Sequence, residues 1–168
     1  MIILLKNKQT LQIDEFKFKC SIGKNGISSK KKEGDKKTPK GLFKLGNLYY
    51  RADRLTKPNT KLKVKKIKKG MAWCDDLNMP KFYNKLIATN DKIKHEKLYR
   101  KDHKYDLFIL IKYNYPKPII PLGSCIFLHL TTNYKPTAGC IALKKNDFLV
   151  LVKLLAIFYS CTYLLNYF

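Results

Sequence analysis

Residues 127–143 read FLHLTTNYKPTAGCIAL. An apolar run closes on His129 and Leu130, a polar segment follows, and Cys140 then leads into Ile141, Ala142 and Leu143. Upstream, SCIFLHL carries few polar residues over 124–130, the mark of a strand buried on both faces. Downstream, Phe148, Leu151, Val152 and Leu155 recur at helical spacing, which predicts a helix over 143–155 with Asn146 as its N-cap. His129 therefore ends a strand that can hold its ring rigidly, and Cys140 sits in a turn before a helix.

Those two residue types make a nucleophile. A free thiol is mostly protonated at neutral pH, and a neighbouring imidazole can take its proton and hold the resulting ion pair. Gly139 lets the backbone turn sharply beside Cys140. Backbone N–H groups at this turn, that of Cys140 with that of Gly139 or a neighbour, can serve as donors for an oxyanion. Spacing alone leaves this open. With 3 histidines and 5 cysteines in the chain, a neighbouring pair arises readily by chance.

Outward from this segment, most elements read as strands. Residues 2–5 and 11–22 form two short strands joined by the turn KNKQ. Residues 23–41, rich in Gly, Lys and Ser, form a long surface loop. Residues 42–50 and 105–113 are strands, and 51–71 is a basic, irregular connection. Residues 71–84, with Trp73 and the acids Asp75 and Asp76, read as a structured loop, and a short helical turn opens at 95. A last strand spans 161–168. The pattern predicts one mostly β domain over 1–168, with one main helix after Cys140. The apolar segment 148–168 is broken by Lys153, Ser160, Thr162 and Asn166, so a buried helix followed by a strand is expected, with no transmembrane span.

Composition narrows the function. The net charge is +23, yet only Arg51, Arg54 and Arg100 are arginine. Arginine's fork is the better grip on phosphates and guanine edges, and lysine spread over a whole chain is not a patch, so no dedicated nucleic-acid role is expected. The cysteines, Cys20, Cys74, Cys125, Cys140 and Cys161, are odd in number and lack CxxC spacing, which argues against a zinc site or a disulfide framework. No metal or organic cofactor is implied. The first residues, MIILLKNKQTLQI, do not read as a signal peptide.

Several ordered motifs together resemble the YkuD-type L,D-transpeptidase catalytic domain. That family has a histidine, a polar loop, then Ser or Thr, any residue, Gly, Cys and an apolar residue. Here these are His129, then Thr137, Ala138, Gly139, Cys140 and Ile141. A TPxGxF element is matched by Thr38, Pro39, Gly41 and Phe43, and the WCDD and HExL elements of one branch by residues 73–76 and by His95, Glu96 and Leu98. The resemblance implies a YkuD-like β-sandwich in which Cys140 is the nucleophile and His129 the base. It implies cleavage of peptidoglycan stem peptides, a diaminopimelate-containing tetrapeptide donor being joined to an acceptor through a thioester. It also implies work in the cell envelope, while the lack of a readable signal peptide leaves the cytoplasm open. Thr137, Trp73, His95 and Asp76 are the expected substrate contacts. Two positions depart from the pattern: Leu130 replaces the usual Gly after the histidine, and Ala142 replaces the usual Arg after the cysteine. Hydrolysis by the same pair, as in an L,D-carboxypeptidase, is the alternative. A non-catalytic basic domain that binds an anionic polymer is another.

Overall fold

The computed structural model describes residues 2–157 and 163–166. Strands β1 (Ile2–Asn7), β2 (Thr10–Ile13) and β3 (Phe16–Ser21) form an antiparallel meander. The strand expected over 11–22 is thus two. Asp14, at φ 51°, makes the reversal between them. The long strand β6 (Gly41–Tyr50) is followed much later by β11 (Leu107–Ile111), β12 (Phe127–Leu130) and β13 (Ile141–Leu143). β14 (Tyr163–Asn166) lies between β1 and β6, parallel to the first and antiparallel to the second. Positions 161, 162, 167 and 168 of the expected last strand lie outside the described residues.

The order β11–β12–β13–β3–β2–β1–β14–β6 returns to β11, because β6 pairs with β14 through its first residues and with β11 through its last. The expected mostly β sandwich takes the form of this one curled sheet. Its enclosed face carries Ile3, Leu5, Leu11, Ile13, Leu128, Leu130, Ile141 and Leu143.

The helix α1 (Lys145–Ile157) buries Phe148, Leu151, Val152, Leu154 and Leu155 against that core. It begins two residues later than expected. The Phe148 amide donates to the Lys144 carbonyl at 2.9 Å, so Lys144, not Asn146, stands at the helix boundary. Among the described residues no helix is long and apolar enough to cross a membrane.

Two regions read as loops have more structure than expected. In residues 23–41, β4 (Ile27–Ser28) pairs with β5 (Thr38–Pro39). Lys31 is buried there and binds Asp35 and the Lys37 carbonyl at 2.5 and 2.6 Å. In residues 51–97, β7 (Val64–Lys66) adds to β6, and β8 (Met71–Cys74), β9 (Leu86–Ala88) and β10 (His95–Lys97) make a separate small sheet with β8 in the middle. The expected helical turn at 95 is therefore a strand, fixed by pairing His95, Glu96 and Lys97 with Cys74, Trp73 and Ala72.

Candidate active site

β12 and β13 run parallel with His129 opposite Ala142. Side chains alternate along a strand. Leu128 and Leu130 enter the main core, so Phe127 and His129 stand on the other face. Cys140 precedes Ala142 by two residues and shares that face, packed in a second apolar cluster with Phe127, Trp73, Tyr105 and Phe108. The polar loop between His129 and Cys140 is thus a parallel crossover that brings both to one face of neighbouring strands.

The imidazole is held from both sides. Its Nδ1 donates to the Leu130 carbonyl at 2.8 Å, since a carbonyl can only accept. The Tyr105 ring meets it edge-on, with centroids 5.5 Å apart. That tautomer leaves Nε2 as the lone-pair nitrogen, and Nε2 is buried without a hydrogen-bond partner among the described residues. The Cys140 thiol donates instead to the Cys125 carbonyl at 3.1 Å, and its sulfur accepts the Phe127 N–H at 3.3 Å.

Both groups rest neutral. Burial pushes the Cys140 thiol up to about 11, and the nearby Lys104 ammonium offsets only part of that. Burial, with repulsion from Lys104, pushes His129 down to about 3. The ion pair expected from the residue types is therefore disfavoured in the resting protein, because each charge would be stripped of water. In this arrangement the thiol is bonded to the Cys125 carbonyl and not to the imidazole.

His129 forms part of the wall of an open cleft of about 770 Å³. Lys104, Leu130, Thr131, Thr137 and Lys145 line it too, and Asp102 and Asp106 set carboxylates among its lysines. His103 also lines it, its side chain largely exposed and paired with Asp106 at 2.7 Å.

The turn before Cys140 is built by hydrogen bonds that cross the fold. The Thr137 hydroxyl donates to the Cys140 carbonyl at 2.6 Å and accepts the Gly139 N–H at 3.1 Å. The Gly139 N–H, expected as an oxyanion donor, is bonded here within the turn. Gly139 serves the turn by its shape. Its φ is +139°, and a Cβ there would stand 2.8 Å from the Lys37 carbonyl oxygen. Thr38 secures the same contact, donating to the Gly139 carbonyl at 2.9 Å while accepting the Gly23 N–H at 2.9 Å. Thr38 of the TPxGxF element thus straps the turn before Cys140.

The other expected substrate contacts fall elsewhere. None of Trp73, Asp76 and His95 lines the cleft. Trp73 is fully buried, its ring edge-on to Phe127 and its Nε1 donating to Asn84 at 2.9 Å. Asp76 accepts the amides of Asn78 and Lys94, both at 2.9 Å, and orders its own loop. His95 Nδ1 lies 2.6 Å from the Ile93 carbonyl within β10 and its approach. An unpatterned block with one Trp and two acids looked like a cleft wall because its small sheet was not legible.

Asn84 was missed altogether. It is buried at φ 52°. It accepts from Trp73 and from the Cys125 N–H, and it donates to the carbonyls of Tyr113 and Asn114. Through Cys125 it fixes the carbonyl that holds the Cys140 thiol. No sequence signal marks it.

In class, this is a mostly β domain with a histidine and a cysteine on one face of two neighbouring parallel strands. The family model for the YkuD L,D-transpeptidase catalytic domain matches residues 1–157, and the chain belongs to that family, which acts on peptidoglycan. Among solved structures, the chain is similar to the helical cell shape determining protein Pgp2 from Campylobacter jejuni, with a TM-score of 0.50 and 17% identity over 98% of this chain. The match spans 46% of that protein, so the chain covers about half of its length. A point mutant of the same protein aligns with a TM-score of 0.49 and 18% identity over 98% of this chain and 46% of the other. No curated protein sequence matches the chain.

Proposed function

We propose that the protein is a cysteine-dependent L,D-transpeptidase that acts on peptidoglycan stem peptides through a thioester on Cys140. The observation that carries this reading is the placement of Cys140 and His129 on one sheet face, with His129 Nε2 partnerless and its ring anchored through Leu130. A diaminopimelate-containing tetrapeptide would lie along the cleft beside Lys104, Thr131 and Lys145. The thiol turns from the Cys125 carbonyl and gives its proton to Nε2 as sulfur attacks the carbonyl carbon of the third residue. The tetrahedral intermediate collapses, the C–N bond breaks, and the proton on Nε2 passes to the departing D-alanine amine. An amine of a second stem then attacks the thioester, giving its proton to His129 and restoring the thiol. Such cross-linking would affect cell shape, the property for which Pgp2 is named.

Intact-mass spectrometry with a tetrapeptide stem or a carbapenem tests this directly. The expected result is a covalent adduct on the wild-type chain, absent in Cys140→Ala and slowed by at least a hundredfold in His129→Ala, in line with the usual weight of a general base. Release of tripeptide without cross-linked product would identify a carboxypeptidase. No adduct on folded protein would point to a binding domain on an enzyme scaffold.

A further inference from the structure

Ser21 is buried, and its hydroxyl has no hydrogen-bond partner among the described residues. It pairs with Ala142, which pairs on its other side with His129, so the three form one row across β3, β13 and β12. Its neighbour Cys20 enters the main core, so by alternation Ser21 stands on the face that carries His129. A buried hydroxyl left without a partner is uncommon and calls for one.

Ser21 lines a second cavity, of about 370 Å³. Lys8, Lys19 and Lys24 are also in its wall, and no acidic residue is. Lys19 Nζ sits 4.9 Å from the centre of the Tyr134 ring, which helps to hold that side chain at the cavity. The wall between this cavity and the cleft at His129 is the crossover loop, since Pro136 lines both. That wall is fixed in place. The Thr137 N–H donates to the Ile22 carbonyl at 2.8 Å, and the Lys24 N–H to the Thr137 carbonyl at 2.9 Å. Two strand spacings put Ser21 about 10 Å from His129.

We propose that this cavity is a second binding site, for a carboxylate of an acidic peptide. Ser21 donates a hydrogen bond to the carboxylate, and the three lysines supply the opposing charge. The naming of a peptide rests on the function proposed above, whose stem substrates carry carboxylates. A stem anchored here would lie across the crossover loop from the His129 cleft.

The test uses the Cys140→Ala protein, so binding is read without turnover. Amide chemical shifts are followed during titration with a diaminopimelate-containing tripeptide, with its fully amidated counterpart, and with inorganic phosphate. The free acid is expected to give saturable shifts over residues 21–24, and the amide none. Adding Ser21→Ala should weaken binding severalfold while leaving the melting temperature unchanged or higher, because the lost hydroxyl had no partner. Lys19→Gln with Lys24→Gln should weaken it at least tenfold. Shifts absent from 21–24, equal affinity after Ser21→Ala, or phosphate binding as tightly as the peptide would overturn the proposal. Peptide binding here without any Cys140 adduct on the wild-type chain would remove the transpeptidase reading and leave this site standing.

Discussion

His129 stays neutral in the fold because burial removes water from the imidazolium and Lys104 adds repulsion, which together hold it near about 3. In the unfolded chain an ordinary histidine titrates near 6.5. Between these values the unfolded state binds the extra proton, so the folded state loses ground as pH falls from 6.5 towards 3 and is unaffected by this group above 6.5. The slope from this one residue approaches about 1.4 kcal/mol per pH unit. Urea unfolding at pH 7, 5.5 and 4 is expected to show that loss in the wild type, and His129→Gln should lack this component of it. Equal pH slopes in the two proteins would mean that His129 is solvated. The residue types of this pair were legible in the sequence. Their protonation was not, because it depends on the aromatic cluster of Tyr105, Phe127 and Trp73, residues contributed by three separate parts of the chain.

At the scale of elements, the short pairing of β4 with β5 matters more than its length suggests. Thr38 sits in it, fully buried, and its hydroxyl joins Gly23 to Gly139. Thr38→Val keeps the shape and leaves an amide and a carbonyl without that partner, at a cost of about 1–3 kcal/mol for each buried group left unmet. The expected outcome is a lower unfolding midpoint and slower acylation of Cys140, with Thr38→Ser near wild type in both. Acylation unchanged in Thr38→Val would show that the strap is dispensable to the turn. The TPxGxF pattern was readable, but its partner lies 101 residues away, so its use was not. The sheet of β8, β9 and β10 stayed hidden for a different reason. Strands of three or four residues are too short to show a period, and Trp73 is held by Asn84 rather than by any pattern around it.

For the whole molecule, the decisive feature is closure of the sheet. β14 supplies the only described link between β1 and β6. Leu164 carries that strand into the main core, fully buried. Leu164→Ala is expected to cost about 2–5 kcal/mol, the usual range for emptying such a site. Because β14 has neighbours on both sides, amide exchange should quicken in β1 and β6 together, and a change confined to residues near 164 would contradict this account. The mostly β character and the single main helix were legible from apolar periodicity alone. Closure was not, since nothing in YLLN says which two edges it joins.

That closure also orders events during synthesis. Residues 163–166 follow every other described strand, so a nascent chain can assemble its meander, crossover and helix while β1 and β6 still present open edges. Such edges invite pairing with another chain. Until the closing strand emerges from the ribosome, two neighbours on one message could stitch to each other as readily as to themselves.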